Sequence, residues 1–118
     1  MNVVDSSGWL EYFADSPRAE LFAAPIEDTA ALLVPVVSLH EVFKKVWRDR
    51  GEHLALHCVA QMQQGRVIPL DTSLALKAAT LGLPLADSLI YATAIEHGAL
   101  LWSQDAHFEG RPGVRYFA

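Results

Sequence analysis

With 118 residues, the chain is long enough for one domain and too short for two with separate cores. Its composition, 52% apolar and 19% charged, predicts a folded chain rather than a disordered one. The net charge of −5 argues against a general nucleic-acid coat protein, which neutralises phosphates with a basic surface, but it suits clustered carboxylates that hold cations.

In chain order, Asn2 to Asp5 reads as a short strand. No basic stretch and apolar core precede this acid, so no secretory signal is expected and the cytoplasm is the expected location. Trp9 to Phe13 and Pro17 to Phe22 read as two short helices around the turn-like Asp15-Ser16-Pro17. Leu32 to Val37 reads as a second strand, buried on both faces because it is continuously apolar. The run that contains it, Ala30 to Val37, is the longest in the chain, and it is far short of the roughly 20 helical residues that cross a bilayer. Ser38 to about Arg50 is a helix, with Leu39, Val42, Phe43, Val46 and Trp47 at helical spacing and Gly51 ending it.

Glu52 to Gln64 is the next helix, stopped by Gly65. It holds the only cysteine, Cys58, so an internal disulfide framework and a multi-cysteine zinc knuckle are both excluded. Val67 to Leu70 is a short strand in which Pro69 suggests an edge or an end. Helices follow over Ser73 to Leu81 and Leu85 to His97, ended by Gly82 and Gly98, with Pro84 opening the second. Ala99 to Trp102 and Val114 to Phe117 complete the set as strands. Strands separated by helical crossovers predict an α/β fold, a mostly parallel sheet of four to five strands with helices on both faces.

Three acids fall near predicted strand ends: Asp5 after Val3-Val4, Glu41 four residues after Val37, and Asp105 after Leu100 to Ser103. Open parallel sheets bind ligands in the crevice outside those carboxyl ends. Asp87 lies instead in the first turn of the Leu85–His97 helix, and a helix start can reach the same edge. Carboxylates gathered without a nearby Lys or Arg are unstable as bare anions; hard divalent cations resolve that and can drive phosphodiester hydrolysis. Each acid also has an ordinary structural reading. Asp5 can accept backbone bonds in the Ser6-Ser7-Gly8 turn, and Ser38-x-x-Glu41 matches a capping box. Asp87 suits a helix dipole, and Asp105 can cap Ala106-His107-Phe108. Asp71, in the same kind of place, reads as an N-cap of the next helix.

Four stretches carry a family likeness: Val3-Val-Asp5-Ser-Ser-Gly-Trp-Leu, Ser38-Leu-His-Glu41-Val, Leu85-Ala-Asp87-Ser-Leu-Ile-Tyr-Ala-Thr-Ala and Leu101-Trp-Ser-Gln-Asp105-Ala-His-Phe108. In order and spacing, across nearly the whole chain, they resemble the PIN-domain nucleases and most closely the VapC-type toxin ribonucleases. The resemblance implies one PIN domain over residues 1–118, an α/β/α sandwich and endoribonuclease activity that depends on Mg²⁺, with Mn²⁺ able to substitute. It also implies an RNA substrate, dimerisation, and a cognate antitoxin in a heterotetramer or larger assembly, with no membrane partner. Carried over by position, Asp5, Glu41, Asp87 and Asp105 match the acidic quartet that holds metal, with Asp5 and Asp87 as the most direct ligands. Ser6 and Ser103 match positions that orient carboxylates or water. One departure is that Ala106 and His107 follow Asp105 where some members place another acid, which leaves the number of metals open.

Lys44, Lys45 and Arg48 share the helical face of Glu41 and read either as RNA-phosphate contacts or as a solvated face with a Glu41–Lys45 pair. His53 and His57, beside Cys58, have metal-pair spacing but no third ligand motif. His40 and His107 flank Glu41 and Asp105, within reach of an RNA. Trp9, Leu10, Tyr12, Phe13, Leu21, Phe22, Phe43 and Trp47 read first as core, and otherwise as a groove for an amphipathic antitoxin helix. A phosphoryl-binding receiver or phosphatase-like module is disfavoured, because no P-loop, GxGxxG or Asp-x-Asp motif occurs. The remaining alternative is a catalytically silent PIN-like interaction module.

Overall fold

A computed structural model describes residues 1–118. Five strands form one parallel sheet: β1 (Asn2–Val4), β2 (Leu32–Pro35), β3 (Arg66–Ile68), β4 (Leu100–Ser103) and β5 (Val114–Tyr116). Their order is β3-β2-β1-β4-β5. Six helices connect them: α1 (Ser6–Phe13), α2 (Ala19–Glu27), α3 (Val36–Arg50), α4 (Glu52–Met62), α5 (Thr72–Ala79) and α6 (Leu85–Glu96). No helix is long and apolar enough to cross a membrane.

Strand alternation divides the apolar residues between two cores. Val4, Leu32 and Val34 point to one face, where Trp9, Phe22, Val42, Val46, Cys58 and Met62 of α1 to α4 cover them. Val3, Leu33 and Leu101 point to the other, against Ile90, Tyr91 and Ala94 of α6. Leu74 and Ala78 of α5 pack on Leu89 and Ala92 of α6 as an outer layer. α6 is therefore covered on two sides, and every residue from Ser88 to Ala94 is buried. Gly8 is a close-packing point between α1, α2 and the sheet, since a Cβ there would lie 2.6 Å from Phe22 Cδ1 and 2.8 Å from Val4 Cγ1.

Several expected boundaries move. β2 ends at Pro35, and Val36 and Val37 form the first turn of α3. A continuous apolar run carries no period by which to place that change. α3 therefore starts before Ser38, its N-cap is Pro35 with no side-chain cap bond, and the Ser38–Glu41 capping box does not form. Ser38 is fully buried, and its hydroxyl has no protein partner. α1 starts at Ser6 rather than Trp9, directly after β1, because the Asp5 side chain caps it. α2 runs from Ala19 to Glu27 through Pro25, beyond the expected Phe22. β3 is an edge strand, as Pro69 suggested, and ends one residue before it. Asp71 does cap α5, accepting from Leu74 N at 2.8 Å.

Candidate active site

β1 is the point where the chain reverses its progress across the sheet, with β2 on one side and β4 on the other. Asp5 leaves the end of β1 and Asp105 follows the end of β4, so both acids flank that switch point. α6 leads into β4 and so runs back along the sheet, which puts its start and Asp87 at the same carboxyl edge. Glu41 arrives differently from expectation. It sits in the second turn of α3 rather than just past a strand. Ser6, at the start of α1, reaches it from the neighbouring connection, donating from Oγ to Glu41 Oε1 at 2.6 Å.

Asp5 is buried and held from several sides. Its Oδ1 accepts from Ser6 N at 2.8 Å, and its Oδ2 accepts from Ser103 Oγ at 2.8 Å and more weakly from Ser7 Oγ at 3.3 Å. Burial and, to a smaller degree, the charge of Asp105 push its carboxyl above the ordinary range; the bonds from Ser103, Ser6 N and Ser7 oppose that. Ser103 is fully buried and also accepts from Asp105 N at 2.9 Å, so one hydroxyl sets two acids. Asp105 Oδ1 accepts from His107 N at 2.9 Å, capping the turn over Ala106–Phe108.

The tightest grouping was not foreseen in the sequence. His107 Nδ1 lies 2.9 Å from Asp105 Oδ1 and 3.1 Å from Asp87 Oδ2. Ligand atoms of Asp87, Asp105 and His107 all lie within 4.8 Å of one another, while Asp5 and Glu41 stand outside this trio. The Asp87 carboxyl is pushed up to about 6, first by burial, then by the charges of Asp105 and Asp5, with Glu41 adding and His107 opposing. All four acids therefore share one electrostatic site. His107 was legible only as a neighbour of Asp105. The signal for more was its place two residues after a capping aspartate, which folds the imidazole back over the carboxylate.

The cations on α3 are arranged otherwise than expected. Lys45 pairs with Asp49 at 2.9 Å and Arg48 with Asp49 at 3.2 Å, so the Glu41–Lys45 pair does not form and Glu41 is bound to Ser6 instead. A cavity of about 330 Å³ between α3 and the start of α6 is lined by His40, Glu41, Lys44, Lys45 and Arg48 over an apolar floor that includes Val37 and Leu89. His57 lies within 2.8 Å of Gln61, and Cys58 is buried in the core, so His53, His57 and Cys58 do not converge on a metal site.

The PIN domain matches residues 3–113 of the chain. Among solved structures, a toxin–antitoxin complex from Klebsiella pneumoniae is similar with a TM-score of 0.79 at 20% identity, over 98% of this chain and 96% of that one. VapC20 of Mycobacterium tuberculosis, described as a sarcin-ricin loop cleaving toxin, gives 0.78 at 16% identity over 95% of both chains. VapBC2 of Rickettsia felis, bound to a promoter DNA fragment, gives 0.74 at 11% identity over 99% of this chain and 98% of that one. These likenesses are of fold. No curated protein matches the chain by sequence.

Proposed function

The chain belongs to the PIN-domain family, and from that membership we propose that it is a divalent-metal-dependent endoribonuclease, the toxin of a toxin–antitoxin pair, built as one domain over residues 1–118. The observation that carries this reading is the gathering of Asp5, Glu41, Asp87 and Asp105 at the switch point of a parallel sheet, where burial first, and then the charges of the neighbouring acids, push the Asp87 carboxyl up to about 6. Such a site is short of positive charge. Its donors are mainly carboxylate oxygens, hard ligands that fit Mg²⁺, with Mn²⁺ able to substitute, and the imidazole of His107 stands beside them as a borderline donor.

Asp5, Asp87 and Asp105 would hold the metal, with Glu41 beside them. When bound, it supplies positive charge to a phosphoryl oxygen and lowers the pKa of water at the site. The chain's own contribution is preorganisation. Ser103 fixes Asp5 and the backbone of Asp105, while Ser6 fixes Glu41, so the carboxylates need little reordering when substrate arrives. Lys44, Lys45 and Arg48 line the adjoining cavity and would meet RNA phosphates next to the scissile one.

Restraint by a cognate antitoxin is part of the reading, as are a cytoplasmic setting and a homodimer that forms a heterotetramer or larger assembly with that antitoxin. A second cleft, of about 510 Å³ between α1, α3 and α4, supports it. Leu10, Phe13, Val46 and Leu54 line this cleft, with Glu11, Lys45, Asp49 and Arg50 among its charged residues, a composition suited to an amphipathic helix. Of the residues read as a groove, Trp9 and Phe22 belong to the core, and Trp47 alone is exposed, the others being half-buried.

Purified, partner-free protein should cleave RNA with Mg²⁺ or Mn²⁺ and stop on chelation. Asp5→Asn or Asp87→Asn should lower the rate at least about 100-fold, the scale of losing one electrostatic element of a site. Cleavage that persists unchanged in both variants would refute the assignment. A folded wild type that cleaves nothing and leaves growth of an expressing bacterium unaffected would leave the silent interaction module.

A further inference from the structure

The Trp47 side chain lies outside the packed core. It is 55% exposed, it belongs to none of the core clusters, and none of the chain's aromatic pairs includes it. Its surroundings are basic. Four of the nine Lys and Arg of this acidic chain fall between Lys44 and Arg50, and Asp49 is the only acid among them. Asp49 pairs with Lys45 and Arg48, whereas Lys44 has no ion pair. At 100° per residue, Lys44, Trp47 and Arg48 lie along one side of α3, and the rise from Glu41 to Arg48 is about 10 Å.

We propose that this side of α3 is a track for an unpaired RNA strand leaving the acidic crevice, with phosphates on Lys44 and Arg48 and a base stacked on Trp47. The proposal rests on the reading of the crevice as a ribonuclease site and names the form of RNA it takes. Cations beside an exposed indole match what single strands offer, a charged backbone with accessible base faces. A duplex keeps its bases stacked inside, and its deep major groove admits no side chain to them. Continuity with the crevice is direct, because Glu41, Lys44 and Arg48 line the same cavity. Docking of a second copy is disfavoured, because Lys44 and Arg50, one turn either side of Trp47, would bring like charges together.

The test separates binding from cleavage by working in EDTA. A uridine octamer should quench the tryptophan emission of the wild type, and the anisotropy of a labelled octamer should report affinity about tenfold weaker in Trp47→Ala, the scale of losing one stacked base. Trp47→Phe should recover part of the loss. Lys44→Ala should lower the slope of log affinity against log salt by about 0.7. A blunt duplex of equal length should bind at least about tenfold more weakly than the octamer. Equal affinity in Trp47→Ala, preference for the duplex, or a change of oligomeric mass in Trp47→Ala would overturn the track. Trp47-dependent binding without any metal-dependent cleavage would sink the nuclease reading and leave the track. Cleavage with unchanged KM in Trp47→Ala would do the reverse.

Discussion

Asp87→Asn should make the metal-free protein more stable at neutral pH while lowering cleavage at least about 100-fold. The sign follows from the raised Asp87 carboxyl. Below its ordinary value of 3.8, folded and unfolded chains both carry the proton and the site has no electrostatic cost. Between 3.8 and about 6 the unfolded chain releases its proton and the folded chain keeps it, so stability falls as pH rises through that window and stays lower above it. At roughly 1.4 kcal/mol per tenfold change in proton affinity, the full interval corresponds to about 3 kcal/mol. The side chain keeps 16% of its exposure, and screening reduces the expected figure to about 1–2 kcal/mol. An asparagine there stays neutral, so the variant should recover that amount. Urea unfolding in EDTA, followed by circular dichroism at pH 4 and pH 8, measures it. The variant should exceed the wild type at pH 8, the gap should close toward pH 4, and millimolar Mg²⁺ should stabilise the wild type more than the variant. A variant no more stable than the wild type at pH 8 would refute the claim that burial and the neighbouring carboxylates disfavour the charged form of Asp87.

Two further substitutions test local packing and separate bystanders from the site. Asp71→Ala removes the bond to Leu74 N and should lose about 1 kcal/mol by urea midpoint with RNA cleavage unchanged; a stable but inactive variant would contradict its role as a cap. Gly8→Ala should destabilise by about 1–3 kcal/mol in spite of alanine's better helix propensity, because the new methyl meets Phe22 and Val4 inside 3 Å. A higher Tm in that variant would show that α1 can shift to make room.

Much of the fold was legible because glycines, prolines and helical spacing marked where elements change. The alternation that splits Val3 from Val4 and Leu33 from Leu32 and Val34 was not, because a strand buried on both faces is apolar at every position and shows no period. The same blindness placed Val36 and Val37 in a strand. Once α3 begins at Val36, Ser38 turns inward and Glu41 has no cap to close, which leaves its carboxylate free to take the Ser6 hydroxyl. Asp5 and Asp105 could be placed from strand ends because local chain direction sets them. His107 could not, since its contact with Asp87 depends on how α6 packs back along the sheet beside the turn after β4.

The structural and chemical readings of the acids are compatible in a way single positions in the sequence conceal. Asp5 gives one oxygen to the start of α1 and the other to Ser103, and Asp105 caps its own turn. A cap that also faces a crevice is a carboxylate whose rotamer the fold has already fixed, so placing it for chemistry needs no further ordering. It follows that replacing Asp5 or Asp105 disturbs helix and turn starts together with the site, and lost cleavage there has two explanations. Asp87 is different. The N-cap of α6 is Pro84, no backbone N–H donates to the Asp87 side chain, and its only polar partner is His107, a member of the same cluster. Its charged form is therefore disfavoured by burial and by its neighbours, and no cap bond depends on it. That makes it the one acid of the four at which loss of cleavage and gain of stability should appear in the same variant.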